Sequence, residues 1–348
     1  MNSPSCSRGH YGRPYRQRQR GAALVVAMLV FALCTALVVA MKSEFQRFYQ
    51  RTANVMLAEQ AYAYLLGAEE LASTALLLDY DQGKGNKQPR DDLKEIWAQP
   101  ATPYTLDDGG WLLGSLEDLQ GRFNLNSLIP GPARDRGEPR FTPAQAQFIR
   151  LLQALEEPAV SEQEAILITA SIGDWLDPDG TPAANGAEDD LSVSLSPAYR
   201  TANGPIASVS ELRAVAYMTP EIYQAVLPWV TVWPQSPTAL NIHTAPAMVL
   251  RSINADNNLS PLSDADAQAL VDYRENSGFA DVDDFLGNEV FGDKQEQMAG
   301  IKALLGQESS YFLLQAEVEV ADRNMRLYSV LERRGRRISA VARAGGSL

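Results

Sequence analysis

RQRGAALVVAMLVFALCTALVVAM, residues 18–41, joins a basic leader to 21 consecutive residues without charge, Gly21 to Met41. As a helix rising about 1.5 Å per residue, that stretch spans the roughly 30 Å hydrocarbon core of a bilayer. Residues 1–41 carry Arg8, Arg13, Arg16, Arg18 and Arg20 and no acid, so the leader stays cytoplasmic and everything after Lys42 is expected across the inner membrane. A secretory signal fits less well, because the stretch exceeds the roughly 7–15-residue core of such signals and no A-x-A site follows Met41. From Lys42 to Tyr80 there is no Pro and one Gly, Gly67, and Phe45, Phe48, Tyr49, Val55, Tyr62, Leu65, Leu66, Ala72 and Leu76 recur at three- and four-residue steps. The spacing predicts one helix over 22–80 that leaves the membrane and carries an apolar spine.

Outward from that helix, the 348-residue chain has room for about two domains. Apolar residues make up 45% and charged ones 21%, which excludes a disordered tail. The net charge is −13, and because the first 41 residues are basic the remainder carries −18. Cys6 lies in the leader and Cys34 in the span. The exported part therefore has no disulfide and relies on its core or on a metal.

Beyond the polar break 81–92, Trp111–Leu119 and Gly121–Leu128 read as short strands with a turn between them. Residues 130–305 read as mostly helical. Thr142-Pro143 opens one helix with Pro at its first position, and Ser208 with Glu211 and Ser263 with Asp266 form capping-box patterns. Leu212, Val215, Ala216, Leu270 and Val271 supply core faces. Tyr311–Val320, Met325–Glu332 and Arg337–Arg343 alternate with period two and predict an antiparallel meander. A strand-rich body is thus split by a long helical insertion.

The junction Arg18-Gln-Arg-Gly-Ala-Ala-Leu-Val25 resembles the prepilin peptidase site of type IV pilins and pseudopilins, cut after the Gly. Gly21 and Ala22 would flank the cut, and Ala22 would be the mature, methylated N-terminus. Most such proteins carry Glu at the fifth mature residue, where this chain has Val26. A carboxylate inside the bilayer is costly unless paired, and in pilins it is offset by the amine of the subunit ahead. A tip subunit has no subunit ahead, so Val26 points to the tip of a fibre. Leu116-Glu-Asp-Leu-Gln-Gly-Arg-Phe-Asn-Leu-Asn-Ser-Leu128, Gly173-Asp-Trp-Leu-Asp-Pro-Asp-Gly180, Gly186-Ala-Glu-Asp-Asp190, Ser210-Glu-Leu-Arg213 and Leu240-Asn-Ile-His-Thr-Ala-Pro-Ala247 are similar to the minor pseudopilin K family of type II secretion systems, in the family's order along essentially the whole chain.

The resemblance implies an α+β pilin-like fold, a long N-terminal helix packed on an antiparallel sheet, with a large inserted α-helical domain. Its parts fall at 1–21 (cleaved leader), 22–80 (helix), 81–129 (first pilin-like part), 130–305 (insertion) and 306–348 (meander). It further implies a non-enzymatic subunit at the pseudopilus tip, single-pass in the inner membrane with its C-terminal body in the periplasm. Expected partners are the I- and J-type minor pseudopilins, other pseudopilins, the inner-membrane assembly platform, the prepilin peptidase and secreted exoproteins. Phe45, Phe48, Tyr49, Val55, Tyr62, Leu65 and Leu66 form the expected docking surface. The alternative is a minor pilin of a type IV pilus or of a DNA-uptake pseudopilus.

Asp174, Asp177, Asp179, Glu188, Asp189 and Asp190 fall within 174–199 with no Lys or Arg among them. Carboxylates at that density suit a hard cation, Ca²⁺ before Mg²⁺ in a flexible loop. Asp177, Asp179 and Glu188 occupy positions 1, 3 and 12 of an EF-hand frame, but Thr181 and Pro182 at positions 5 and 6 break it. Spacing alone leaves a solvated acidic loop equally open, and it is the family resemblance that implies a structural Ca²⁺ here. Catalytic readings are thin: the exported region has one His, His243, read as a turn or cap residue, and no G-x-S-x-G or H-E-x-x-H. Leu262–Leu286 resembles a helix-hairpin-helix, but Asp264, Asp266, Asp272, Glu275, Asp281, Asp283 and Asp284 oppose Arg274 alone. Such a surface repels DNA, so no nucleic-acid partner is expected. Arg323, Arg326, Arg333, Arg334, Arg336 and Arg337 are expected to line an edge strand or to face acidic partners.

Overall fold

The computed structural model of the chain describes residues 20–83, 89–107, 109–129, 140–183, 185–187 and 198–346. They divide into two compact units, Met1–Glu59 and Gln60–Leu348. Helix α1 runs Arg20–Gly83 without a break, three residues past the expected end at Tyr80, because nothing before Gly83 removes a backbone donor or forces a turn. In the first unit its described side chains from residue 21 to 52 are all exposed. Among the described residues it is the one helix long and apolar enough to cross a membrane.

In the second unit the last turns of α1 lie on a five-stranded antiparallel sheet. In chain order the strands are β1 (Tyr104–Thr105), β2 (Trp111–Asp118), the two-residue β3 (Phe123–Asn124), β4 (Val230–Thr231), β5 (Leu240–Asn241) and β6 (Leu305–Gly306), which pair apart from this sheet, and β7 (Tyr311–Val320), β8 (Arg323–Arg334) and β9 (Arg337–Ala344); the sheet order is β1-β2-β7-β8-β9. The meander is as expected, with β8 starting two residues early. Period-two alternation turns Phe312, Leu314, Ala316, Val318 and Val320 inward, all buried, against the stripe Ala61, Leu65, Ala68, Ala72 and Leu76 on α1. Gly114 of β2 lies under Ala68: a Cβ there would sit 3.9 Å from the Ala68 methyl and 3.6 Å from Leu314. The β1–β2 turn needs Gly110, at φ +98, where a Cβ would fall 2.0 Å from the Glu319 carbonyl oxygen.

β2 and β7 are neighbours, paired Leu112 with Val318 through Asp118 with Phe312, although all of 119–310 lies between them in sequence. The insertion leaves and returns at one end of this pair, where Asp118 faces Phe312. It carries two cores. The first gathers Phe123, Leu125 and Leu128 with helices α2 (Pro143–Gln153) and α3 (Glu162–Leu176) and the stretch Ile206–Val232. The second runs from Leu240 to Leu305 around Phe279, Phe285 and Phe291. The insertion therefore begins before residue 130, because Phe123–Leu128 pack into its first core; they form a two-residue strand, Phe123–Asn124, parallel to Val230–Thr231, then a 3-10 turn.

Three caps differ in detail from expectation. Thr142 opens α2 with a full capping box to Gln145, a reciprocity beyond the expected Pro at the first position. The box of Ser208 and Glu211 caps a 3-10 turn, Val209–Ala214, where Pro220 and the short apolar run leave no length for an α-helix. Ser263 accepts the Asp266 N–H, but the Asp266 carboxylate takes the Ser263 hydroxyl at 2.7 Å, being too short to reach the cap backbone. Of the expected core residues Leu212, Val215 and Leu270 are buried, and Ala216 and Val271 are half-buried.

Candidate docking and cation sites

Burial divides the expected docking spine. Phe45, Phe48, Tyr49 and Val55 are 70%, 67%, 66% and 61% exposed in the first unit, where no described residue covers them. In the second unit Tyr62 is exposed and Leu66 half-buried. Leu65 is a correction: fully buried on the sheet, it belongs to the chain's own core and offers nothing to a partner. At about 100° per residue it falls with Ala61 and Ala68, whereas Leu66 is turned a further step away.

Acidic residues on the inward side of α1 meet the basic meander. Arg343 forks onto Glu69 at 2.6 and 2.8 Å, and Ser329 donates to the same carboxylate at 2.6 Å; these bonds, led by Arg343, hold the Glu69 pKa below its ordinary value despite burial. Arg333 reaches Asp79 at 3.0 Å and also pairs with Asp91, and Arg336 pairs with Asp81 at 3.1 Å. For Arg333 and Arg336 the acidic partners are thus the chain's own helix and the segment after it, while Arg326 and Arg334 pair within the sheet, with Glu317 at 3.2 Å and Glu332 at 2.6 Å. Burial still pushes Asp79 and Asp91 upward, against the guanidinium, and pushes Glu95 to about 7. The oxygens of Asp79, Asp91 and Glu95 lie within 4.8 Å of one another, the one such acidic group among the described residues. With Arg333 bridging two of them, it is a charge network closing helix to sheet.

The acidic loop starts where α3 ends. Asp177 is its C-cap, its N–H bonded to the Gly173 carbonyl at 3.0 Å. Asp174, on the last turn and fully buried, accepts the Ala183 N–H at 3.1 Å. Gly186 closes over it: a Cβ there would lie 1.8 Å from the Asp174 carboxylate, so only glycine lets the loop approach. Asp177 accepts from the Asp179 N–H at 3.3 Å and Asp179 from Thr181 at 2.8 Å. Burial, then the charge of Asp179, raises the Asp177 pKa. Asn203 donates to the Asp179 carbonyl at 2.7 Å, and its Oδ1 is buried without a hydrogen-bond partner. A buried carbonyl oxygen left bare next to the Asp179 main chain is one ligand of the kind a hard cation takes. The oxygens of Asp174, Asp177 and Asp179 do not converge within 4.8 Å. Glu188, Asp189 and Asp190 lie outside the described residues.

The asparagine-rich motifs work as staples. Asn126 Nδ2 donates to the Ile206 and Val232 carbonyls at 3.1 and 3.0 Å, and its Oδ1 accepts the Ile206 N–H at 2.8 Å. Asn241 Nδ2 donates to Ser309 Oγ at 2.9 Å, the Asp91 carbonyl at 3.0 Å and Asp118 at 3.1 Å. Asp118, the last residue of β2, also accepts from Thr244 and Ser309, and burial raises it to about 6. Both ends of the insertion are thereby tied to the sheet. His243 lies in the turn as expected, its N–H donated to Asn241 Oδ1 at 3.0 Å.

Sequence patterns did not point to Arg150. It is fully buried on α2 and donates to the carbonyls of Asn258, Ser252 and Ala255 at 2.6, 3.0 and 2.8 Å, joining the two cores. Burial lowers it to about 10. Its only signal was a cation in the middle of an apolar helical face.

A membrane-length helix whose inner end packs on an antiparallel sheet, with a two-core helical insertion between neighbouring strands, defines a pilin-type subunit with an enlarged head. Residues 121–235 and 240–306 each match the family described as "Type II secretion system (T2SS), protein K", the same two stretches that the cores occupy. The type II secretion system protein K of Pseudomonas aeruginosa is 35% identical over 91% of this chain and 90% of its own length. That of Pectobacterium carotovorum is 31% identical over 95% and 98%. The chain belongs to the type II secretion system protein K family, a family of structural minor pseudopilins, and it is not an enzyme. A solved structure, the GspK-GspI-GspJ complex from the enterotoxigenic Escherichia coli type 2 secretion system, matches with TM-score 0.72 at 28% identity, over 86% of this chain and 100% of that one. Family membership favours secretion over the pilus and DNA-uptake alternative.

Proposed function

We propose that this chain caps the tip of a type II secretion pseudopilus, starting its assembly and supporting export of folded periplasmic proteins across the outer membrane. The observation that carries the reading is the insertion between adjacent strands β2 and β7: a subunit enlarged there is hard to stack repeatedly along a helical fibre. Val26, apolar and 61% exposed, agrees with it. Before assembly, α1 holds the subunit in the inner membrane with its body in the periplasm, after the prepilin peptidase cuts between Gly21 and Ala22 and Ala22 is methylated. The partners are the I- and J-type minor pseudopilins, by likeness to the solved complex, followed by other pseudopilins and the assembly platform. They meet the face of Phe45, Phe48, Tyr49, Val55 and Tyr62, with half-buried Leu66 at its border.

The acidic loop would hold a structural Ca²⁺ through carboxylates drawn from Asp174, Asp177, Asp179, Glu188, Asp189 and Asp190, with Asn203 Oδ1 beside them. The ion would close a long loop that no disulfide braces. Chelation of the purified protein is expected to lower its melting temperature, and Ca²⁺ to restore it where equal Mg²⁺ does not.

The reading is tested by capturing I- and J-type subunits from membranes on the full-length chain. Both are expected to be retained, and retention of neither sinks the tip assignment. Intact mass with and without active prepilin peptidase should show a peptidase-dependent N-methylated Ala22. A retained Met1 would leave an anchored periplasmic protein.

A further inference from the structure

A cavity of about 220 Å³ lies where the segment after α1 meets the turn at Ser277-Gly278, which follows helix Asp264–Asn276. Arg90, Lys94, His243 and Arg274 line it, with Asp92 and Glu275. In a chain of net charge −13, three cations and an imidazole share one small space with two carboxylates.

Their bonding leaves donors free. Arg274 is 9% exposed. Its Nη1 donates to the carbonyls of Ala245 and Ile242 at 2.6 and 3.2 Å, and among the described residues its Nε and Nη2 have no hydrogen-bond partner. Neither is among the buried polar atoms that lack a partner, so both open onto accessible space. Lys94 Nζ donates once, to the Glu275 carbonyl at 2.9 Å, leaving two N–H groups. Arg90 Nη1 reaches the Phe279 carbonyl at 3.4 Å and its Nε pairs with Asp92 at 3.1 Å, which leaves Nη2. Main-chain carbonyls thus position two of the cations without neutralising them. The ring of His243, a residue 2% exposed, has Nε2 3.5 Å from Gln307 Oε1. Burial first, and then the charges of Arg90 and Arg274, hold its pKa below the ordinary value, opposed by Gln307 and Asp92.

We propose that this cavity binds a small oxyanion, a phosphate or a carboxylate group, on the free N–H donors of Arg274, Lys94 and Arg90 with His243 at its wall. Guanidinium and ammonium donors that converge on one space make short charge-assisted bonds to such oxygens. The volume admits one phosphate or one carboxylate with a few waters.

The test uses the full chain in detergent. It has two histidines, His10 and His243, so the His10→Gln variant gives a single imidazole to follow by carbon-13 NMR. Inorganic phosphate and acetate are titrated separately at constant ionic strength. At least one is expected to saturate and to raise the His243 pKa by roughly one unit, since an anion offsets the cations facing the ring. Whichever binds tighter assigns the source. Lys94→Gln, at an exposed position, should weaken binding on the order of tenfold while thermal melting stays unchanged. Arg274→Gln should weaken it further, but its carbonyl partners make that variant a test of folding too. No saturable change at His243 with either anion, or full affinity in Lys94→Gln, overturns the proposal.

Discussion

Asn126 gives its amide to two carbonyls and takes one N–H in return, so its removal strands three buried groups. Asn126→Ala is expected to lower stability by about 2–4 kcal/mol, read from urea melts. Arg150→Met frees three carbonyls and removes one buried charge; a loss of about 3 kcal/mol is expected in the same melts. Glu95 carries a pH dependence. Its folded pKa, about 7, lies above the ordinary 4.5 because it is partly buried beside Asp79 and Asp91. The folded chain therefore binds more protons than the unfolded one between those values, and this carboxyl's contribution is lost as pH rises from about 4.5 to about 7. Asp118, raised to about 6, acts in the same sense. Glu95→Gln should flatten the fall in stability over that window, measured as the wild-type minus variant difference at each pH.

Helix α1 has a buried and an exposed face that single substitutions separate. Leu76, fully buried against the sheet, should cost about 2–5 kcal/mol as Leu76→Ala, because a cavity adds to the lost transfer energy. Phe48, 67% exposed, should change stability by less than about 0.5 kcal/mol as Phe48→Ala, while capture of the I- and J-type subunits weakens. Equal loss of capture in both variants, with melts restored at lower temperature, would argue against the exposed face as the docking surface. Periodicity located the helix but not its division of labour. Leu65 and Leu66 are adjacent and equally apolar, and only the position of the sheet decides that Leu65 turns inward.

At the scale of the whole molecule, the insertion rests on a few long-range ties. Asn241 and Asp118 join residues 91, 118, 241, 244 and 309 in one buried network, so damage there should loosen head and sheet together. The sequence by itself determined what is written locally: an apolar run long enough to span a bilayer, a basic stretch ahead of it, a period-two meander, and Thr142 and Ser208 as caps. It also carried the family motifs. The tertiary structure alone decided that β2 lies beside β7 across the insertion, that Phe123–Leu128 belong to the inserted core, that Arg333 pairs with Asp79 and Asp91, and that Arg150 links two cores. Those contacts join residues from about 100 to more than 250 positions apart. Periodicity and capping record the surroundings of a residue within one or two turns; which distant partner completes a buried charge or strand edge is set by the packing of the whole chain.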